Sequence, residues 1–395
     1  MKKLFLLLVL GLSVINTEAQ WQHKSCPSES GDGIMFIAAD GNHVYASVDA
    51  FGVYGSSNNG NDWAAANNGI SASYFFPLTA NGSYVFLGTD AGIYRTNDNG
   101  ISWSIANNGL STAFVSCLAH NGPTVYASAG LGHVFYSVNN GLTWTEISNG
   151  LPIDISMSNV IFSFTFKDSD IYSGSGEGIY KSTDNGQSWF AVNNGISDFN
   201  VVSAMASMGN NLLAGTDNGL YISSDNGNNW TPLDLGIDYL SINAFQKYGS
   251  TLFMGTEHGV FRSTNDGLTW DSINTGLTNH NIQTLAINSN YLFANELMTG
   301  IWRRTLPEIV GVEENAAGHI LSIAPNPSNG KFIISCNKDI NSVEMYDVLG
   351  KNICLLPVCL KNMILEVDIS GYSAGIYLLK VYADNEIITR KVVLE

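Results

Sequence analysis

The chain has 395 residues, of which 45% are hydrophobic, only 13% are charged and 40 are glycine. That length suits one large domain and one small one, and so much glycine with so little charge suits tightly turned sheets. The net charge of −17 falls mainly on residues 20–304, where 22 acidic side chains face eight basic ones. Such a surface repels nucleic acid and anionic lipid and excludes both as expected partners.

In chain order, Lys2-Lys3 precede an apolar stretch from Leu4 to Val14 and a small-residue cleavage site at Thr17-Glu18-Ala19. Residues 1–19 therefore read as a secretory signal peptide, too short for a membrane span. No Cys follows directly, so lipoprotein processing is not expected, and no other segment has the length to cross a bilayer. After the cleavage site, Trp21-Gln22-His23 reads as the orphaned start of a strand.

Six copies of Ser/Thr-x-Asp/Asn-x-Gly-x-x-Trp follow, ending at Trp63, Trp103, Trp144, Trp189, Trp230 and Trp270. A period near 40 residues marks a propeller or solenoid, in which each repeat buries its apolar face only against its neighbours. Around each copy run short alternating stretches of Val, Ile, Tyr and Phe, punctuated by Asn-Gly and Asp-x-x-Gly, which predict strands and hairpins. Asn58, Asp98, Asn139, Asp184, Asp225 and Asn265 at the third box position can hydrogen-bond the turn backbone. The box glycine supplies positive φ, and the Trp offers a large face for packing between blades with an N–H that needs a partner.

The strand–turn–strand half of the unit occurs seven times, from Val44–Tyr54 to Tyr291–Trp302, and the last has no box. Trp21 is expected to complete it. The prediction is an all-β chain with a seven-bladed propeller over residues 20–304, closed by the N-terminal strand. The box resembles the Asp-box (BNR) repeat of sialidases, sortilin-type receptors, xyloglucanases and photosystem assembly factors. That resemblance, over residues 45–304, implies that the box is a hairpin brace away from the binding face.

Sialidase chemistry needs three arginines converging on a carboxylate. Arg95 and Arg262 occupy equivalent repeat positions and Arg303-Arg304 end the last strand, so sialidase activity is not expected. The seven histidines and five cysteines show no metal-ligand spacing, and no metal or cofactor is expected. Loops on the face opposite the boxes carry Asp49, Asp90, Glu177, Asp217, Glu257 and Glu296. A carboxylate ring could bind a cation or act as acid and base on a glycoside. Recurrence in nearly every unit favours turn-bracing, and xyloglucanases carry two propellers where only one is present here. Loops entering the inner strands on the same face carry Tyr74, Phe114, Phe199, Tyr239 and His280, a set suited to sugar stacking or a protein epitope. With Asp90, Asp217 and Glu257 they form the candidate ligand site; core packing at the channel mouth is the alternative role.

Beyond a linker at 305–318, the chain carries Ala324-Pro325-Asn326-Pro327-Ser328-Asn329-Gly330, then Val343 to Lys351, then Asp368 to Lys380, then Arg390-Lys391-Val392-Val393. This succession resembles the type A C-terminal sorting domain of the type IX secretion system in Bacteroidetes, placed at 319–395 and expected as an immunoglobulin-like sandwich. The resemblance implies passage through the periplasm and export by type IX machinery. Removal of the domain would then leave a secreted or surface-attached product. Cys354 and Cys359 are close enough in sequence to pair, with Cys336 a competitor and Cys26 unassigned, while Cys117 is expected to be a buried thiol. The leading expectation is a non-enzymatic glycan- or protein-binding propeller. A polysaccharide hydrolase or lyase and a structural adhesion component are the alternatives.

Overall fold

Each Asn-Gly or Asp-x-x-Gly turn reverses the chain after only a few residues, so neighbouring strands pair antiparallel. The computed structural model describes residues 20–25, 33–49, 51–153, 156–197, 200–237, 240–306 and most of 321–394. The signal segment lies outside the described residues, as do Cys26, Phe199 and Tyr239. Two units divide the chain, residues 1–309 and 310–395.

The first unit contains seven four-stranded antiparallel sheets, the blades of a seven-bladed β-propeller. Blade 2 shows the plan: Phe75–Ala80 innermost, then Val85–Thr89, Gly92–Thr96 and a two-residue outer strand, Ser104–Ile105. The second strand of a blade is buried along its whole length or all but its first residue, because neighbouring blades cover both of its faces. Apolar clusters accordingly cross blade boundaries: Phe86 and Ile93 of blade 2 pack with Val115 and Val125 of blade 3.

The ring closes as the orphaned Trp21 strand suggests. Gln22, His23 and Lys24 pair antiparallel with Arg303, Trp302 and Ile301, supplying the outer strand of blade 7 and removing its open edge. Chain entry and exit therefore share one blade.

Tryptophans tie the blades together. The Trp103 indole donates to the Ala66 carbonyl of the preceding blade, and Trp144, Trp189 and Trp230 donate likewise to Ala106, Ile147 and Val192, all at 2.7–2.9 Å. Trp21 donates to Ile273 at 2.7 Å, so it fills the same role without belonging to a box. A second bond runs beside each indole, from the Trp backbone N–H to Asn68, Asn108, Asn149, Asn194 or Thr275. The next residue along from that acceptor is Gly in each case. At Gly69, with φ +90°, a Cβ would overlap the Trp103 carbonyl oxygen, so only Gly permits the approach. Trp63 and Trp270 instead donate within their own hairpins, to Gly60 and Gly267.

The box hairpin is built from its own side chains. The Ser56 hydroxyl accepts the Gly60 N–H at 2.8 Å, and Asn58 Oδ1 accepts the Asp62 N–H at 2.9 Å. Where the third position is Asp, hydrogen bonds hold the carboxyl far down: Asp98 falls to about 2 through Ser102 and Thr96, and Asp225 to about 2 through Asn229 and Ser223.

The second unit has a three-stranded sheet (Leu321–Ala324, Lys331–Cys336, Ile364–Asp368) and a four-stranded sheet (Asn352–Leu360, Ile340–Tyr346, Gly375–Ala383, Glu386–Leu394). Both sheets contribute to one core, including Phe332, Val343, Leu379 and Val392. Gly330 takes φ +98° against the backbone of Ser370, which accounts for the Asn-Gly at that motif. One expectation is corrected here. Cys354 and Cys359 lie on the same strand, five residues and roughly 16 Å apart at ~3.3 Å per residue, beyond disulfide reach.

Replacing Trp144 with Ala should cost about 3–5 kcal/mol, the range for truncating a buried aromatic side chain. Trp270→Ala, which removes a half-buried indole bonded within its own hairpin, should cost clearly less. Chemical denaturation of the two variants checks this, and equal losses would remove the bridging role.

Candidate functional site: the face opposite the boxes

Every inner strand begins at the box-free face, and its first turn of backbone is irregular. Register shifts between its first and third residues in six blades, as at Ile34/Phe36 and Ile161/Ser163. In blade 2 the shift extends over Phe75–Leu78, around Pro77, which has no N–H to give a ladder. Such bulges re-aim a side chain. The residue passed over is Met35, Phe76, Ser116, Phe162, Ser203, Asn243 or Gln283, so the chemical group at this one geometric position varies around the ring.

Beside the bulges stand the recurring carboxylates, and most are committed to the backbone. Asp90 Oδ1 accepts the N–H groups of Ser73 and Tyr74 at 3.1 and 3.2 Å. Asp217 accepts from Val201, and Glu257 from Ser241, both at 3.2 Å. Glu177 accepts from the Ser158 hydroxyl. Glu296 goes furthest: its side chain is fully buried and accepts three successive N–H groups, from Thr278, Asn279 and His280, plus the Thr278 hydroxyl at 2.8 Å. Burial pushes the Glu296 carboxyl up, but bonds from Thr299, His280, Asn279 and Thr278 outweigh it and hold the group below the ordinary glutamate value. These residues fasten the loop entering the inner strand to the loop leaving the second, which is the bracing role expected from their recurrence.

The candidate ligand residues on those loops face solvent. Tyr74 is 53% exposed and Phe114 40%, and His280 is exposed at φ +67°. None of the three plugs the channel. Phe114 packs against Phe76 across the blade 2–3 boundary, with centroids 4.8 Å apart and the rings tilted at 59°. The sequence did not single out Met35, Phe51, Met157, Phe162, Leu297 and Met298, all exposed apolar residues on this face. Variation at the bulge position from one unit to the next was the available signal for Met35 and Phe162. Behind the face lies a central channel of ≈ 650 Å³, lined by inner strands of blades 2–7 with Thr79, His120, Phe162, Ser203, Gln246 and Thr284 among its walls.

The basic residues are elsewhere. Arg95 donates to the Asn140 carbonyl and stacks on Tyr84; Lys181 bonds the Asn226 carbonyl at 3.3 Å; Arg303 bonds the Asn59 carbonyl at 2.5 Å and stacks on Tyr291. Each acceptor belongs to the box of the next blade, so these cations are inter-blade clamps and do not converge on a substrate. Lys24 reaches Asn61 and Lys167 reaches Asn226, again in boxes. Lys247, Arg262 and Arg304 lie on the box-ward ends of their strands. Among the described residues, no group of three His, Cys, Asp or Glu could hold a metal. Cys117 is buried in the inner strand of blade 3, and burial pushes its thiol up to about 12.

Residues 322–395 match the family model of the secretion system C-terminal sorting domain. The chain is therefore a β-propeller cargo of type IX secretion, destined for the outside or the outer surface of the cell. Through the sorting domain it engages the type IX machinery. No helix among the described residues is long and apolar enough to cross a membrane. No curated protein matches the sequence. Several solved propellers resemble it. YCF48 from Cyanidioschyzon merolae matches at 15% identity and TM-score 0.56, over 73% of this chain and 99% of that one. A further YCF48 structure is bound to D1 peptide, at TM-score 0.55. The extracellular domain of the one-component system BT4673 from B. thetaiotaomicron matches at 17% and 0.59, over 94% of this chain and 52% of that one. The GH74 xyloglucanase from Xanthomonas campestris matches at 15% and 0.55, over 81% and 60%. At these identities the likeness is of fold alone, and the chain spans little more than half of the BT4673 domain.

Glu296→Gln should destabilise the propeller by about 1–3 kcal/mol at neutral pH, because hydrogen bonds to a charged acceptor are lost. The folded carboxyl lies below its ordinary value, so its contribution is present above the ordinary glutamate range. It disappears as pH falls through the lower, folded value. Wild type and variant should therefore converge in acid; a gap unchanged down to acid pH would show that the charge contributes nothing.

Proposed function

We propose that the exported propeller is a non-enzymatic binding module that engages an extracellular glycan or protein through its box-free face. One observation carries this reading: four of the six recurring carboxylates on that face are committed to backbone N–H groups, while the apolar side chains beside them are exposed. Glycoside hydrolysis needs two carboxyl groups free to act as acid and as base or nucleophile. Asp90, Asp217, Glu257 and Glu296 already hold backbone N–H groups, and releasing them would loosen the loops they brace. Exposed aromatic side chains on a rim above a channel suit a sugar ring or a protein epitope. Peptide-bound YCF48 and the xyloglucanase show that this fold serves both binding and hydrolysis, so the site must decide. In this reading residues 1–19 are removed at the inner membrane, residues 319–395 at the outer one, and the propeller is the working part.

Titration of the secreted protein against a panel of polysaccharides, host glycans and cell-surface proteins should find saturable binding. Tyr74→Ala should weaken it by about fivefold or more, with the melting temperature preserved. Release of reducing ends that stops in Glu177→Gln would replace this reading with the hydrolase. Absence of any ligand would leave the adhesion role.

A further inference from the structure

We infer, on the reading that the box-free face is the binding face, that its partner is a cationic protein segment carrying apolar side chains. Three independent features point to that class. The first is charge partition. All eight Lys and Arg side chains of the propeller bond to box residues or lie on box-ward strand ends. The opposite face carries Asp49, Asp90, Glu177, Asp217 and Glu257 with no Lys or Arg among its described residues. A carboxylate that accepts one or two N–H groups keeps its charge and further lone pairs, so a braced rim still attracts cations. Anionic polysaccharide is repelled by the same field.

The second feature is an apolar arc within that rim. Met35, Phe51, Tyr74, Phe114, Phe162 and Met298 come from blades 7, 1, 2, 3 and 4, consecutive around the ring, and Phe51 and Met298 are 63% and 64% exposed. Flat rings suit sugars. Flexible methionines that repack around a side chain suit a peptide, and exposed apolar groups inside a charged rim are how protein interfaces place their anchors. The third feature is access. The chain enters at Trp21 and leaves at Leu306, which bonds Asn290 in a box-side turn of blade 7. Both of these ends of the described propeller lie on its box side.

The test uses the full chain and short synthetic peptides followed by fluorescence anisotropy. A peptide alternating Lys and Leu should bind saturably, and added salt should weaken it. Peptides alternating Lys with Ser, or Glu with Leu, should each bind at least about tenfold more weakly, since each removes one of the two attractions. The double variant Phe51→Ser/Tyr74→Ser should lose about tenfold in affinity, whereas Ile101→Ser, on the box face and 73% exposed, should lose none. A neutral glucan oligosaccharide serves as the competing ligand. If it binds, is lost in the double variant, and the Lys/Leu peptide does not bind, the partner class is wrong while the binding face stands. If neither probe binds, or Ile101→Ser abolishes binding, the face itself is misassigned.

Discussion

An indole N–H reaching across to a carbonyl of the preceding blade is the interaction on which this ring depends. Outer strands of two or three residues have too few ladder bonds to hold themselves, and among the described residues no helix covers them. Five of the seven joints are instead fastened by a buried indole, by a backbone bond beside it, and by a glycine that lets the two chains approach. Trp63 and Trp270 bond within their own hairpins. Trp21 repeats that geometry at the joint between blades 6 and 7, while the closure itself is the pairing of Gln22, His23 and Lys24 with Arg303, Trp302 and Ile301 inside blade 7.

That way of building a ring has electrical consequences. Because Arg95, Lys181 and Arg303 are used as clamps onto neighbouring boxes, positive charge is drawn to the box side. There it meets box carboxylates such as Asp98, Asp184 and Asp225. Carboxylates of the other face instead serve loop amides that need acceptors where the inner strands start, with no Lys or Arg beside them among the described residues. The polarity of the propeller therefore follows from how its backbone groups are satisfied. A partner of the open face meets a negative, partly apolar rim held on rigid strand ends.

The candidate site was legible in part. Recurrence of Asp90, Asp217 and Glu257 within a fixed unit marked them as braces, and their bonds to Ser73, Val201 and Ser241 are that role in detail. Tyr74, Phe114 and His280 were singled out as candidates from loops that differ between units, and all three are exposed. Met35 and Phe162 were passed over because, read as strict alternation, they sit within ordinary strands. Asn67, Asn107, Asn193 and Asn274, whose side-chain oxygens accept the N–H of Val53, Ile93, Ile179 and Val260, also look like loop polarity until the bonds across fourteen residues are seen.

Everything set by short-range hydrogen bonding and periodicity was therefore present in the sequence: box hairpins, strand punctuation, seven units, the orphaned Trp21 strand and the sorting motifs. Box hairpins and turns depend on residues a few positions apart, so a linear window contains both partners. The repeat period and its one missing outer strand pointed to Trp21, whose strand pairs with residues 301–303. Tertiary structure decided which side chains meet solvent at the bulges, where the cations are spent, and that Cys354 and Cys359 share one strand. Each of those depends on strand register or on a neighbour one blade away. Pairing within a blade, as of Ile34 with Val48, or a contact across a blade boundary, as of Arg95 with Asn140, sets them, and no single-strand pattern records it.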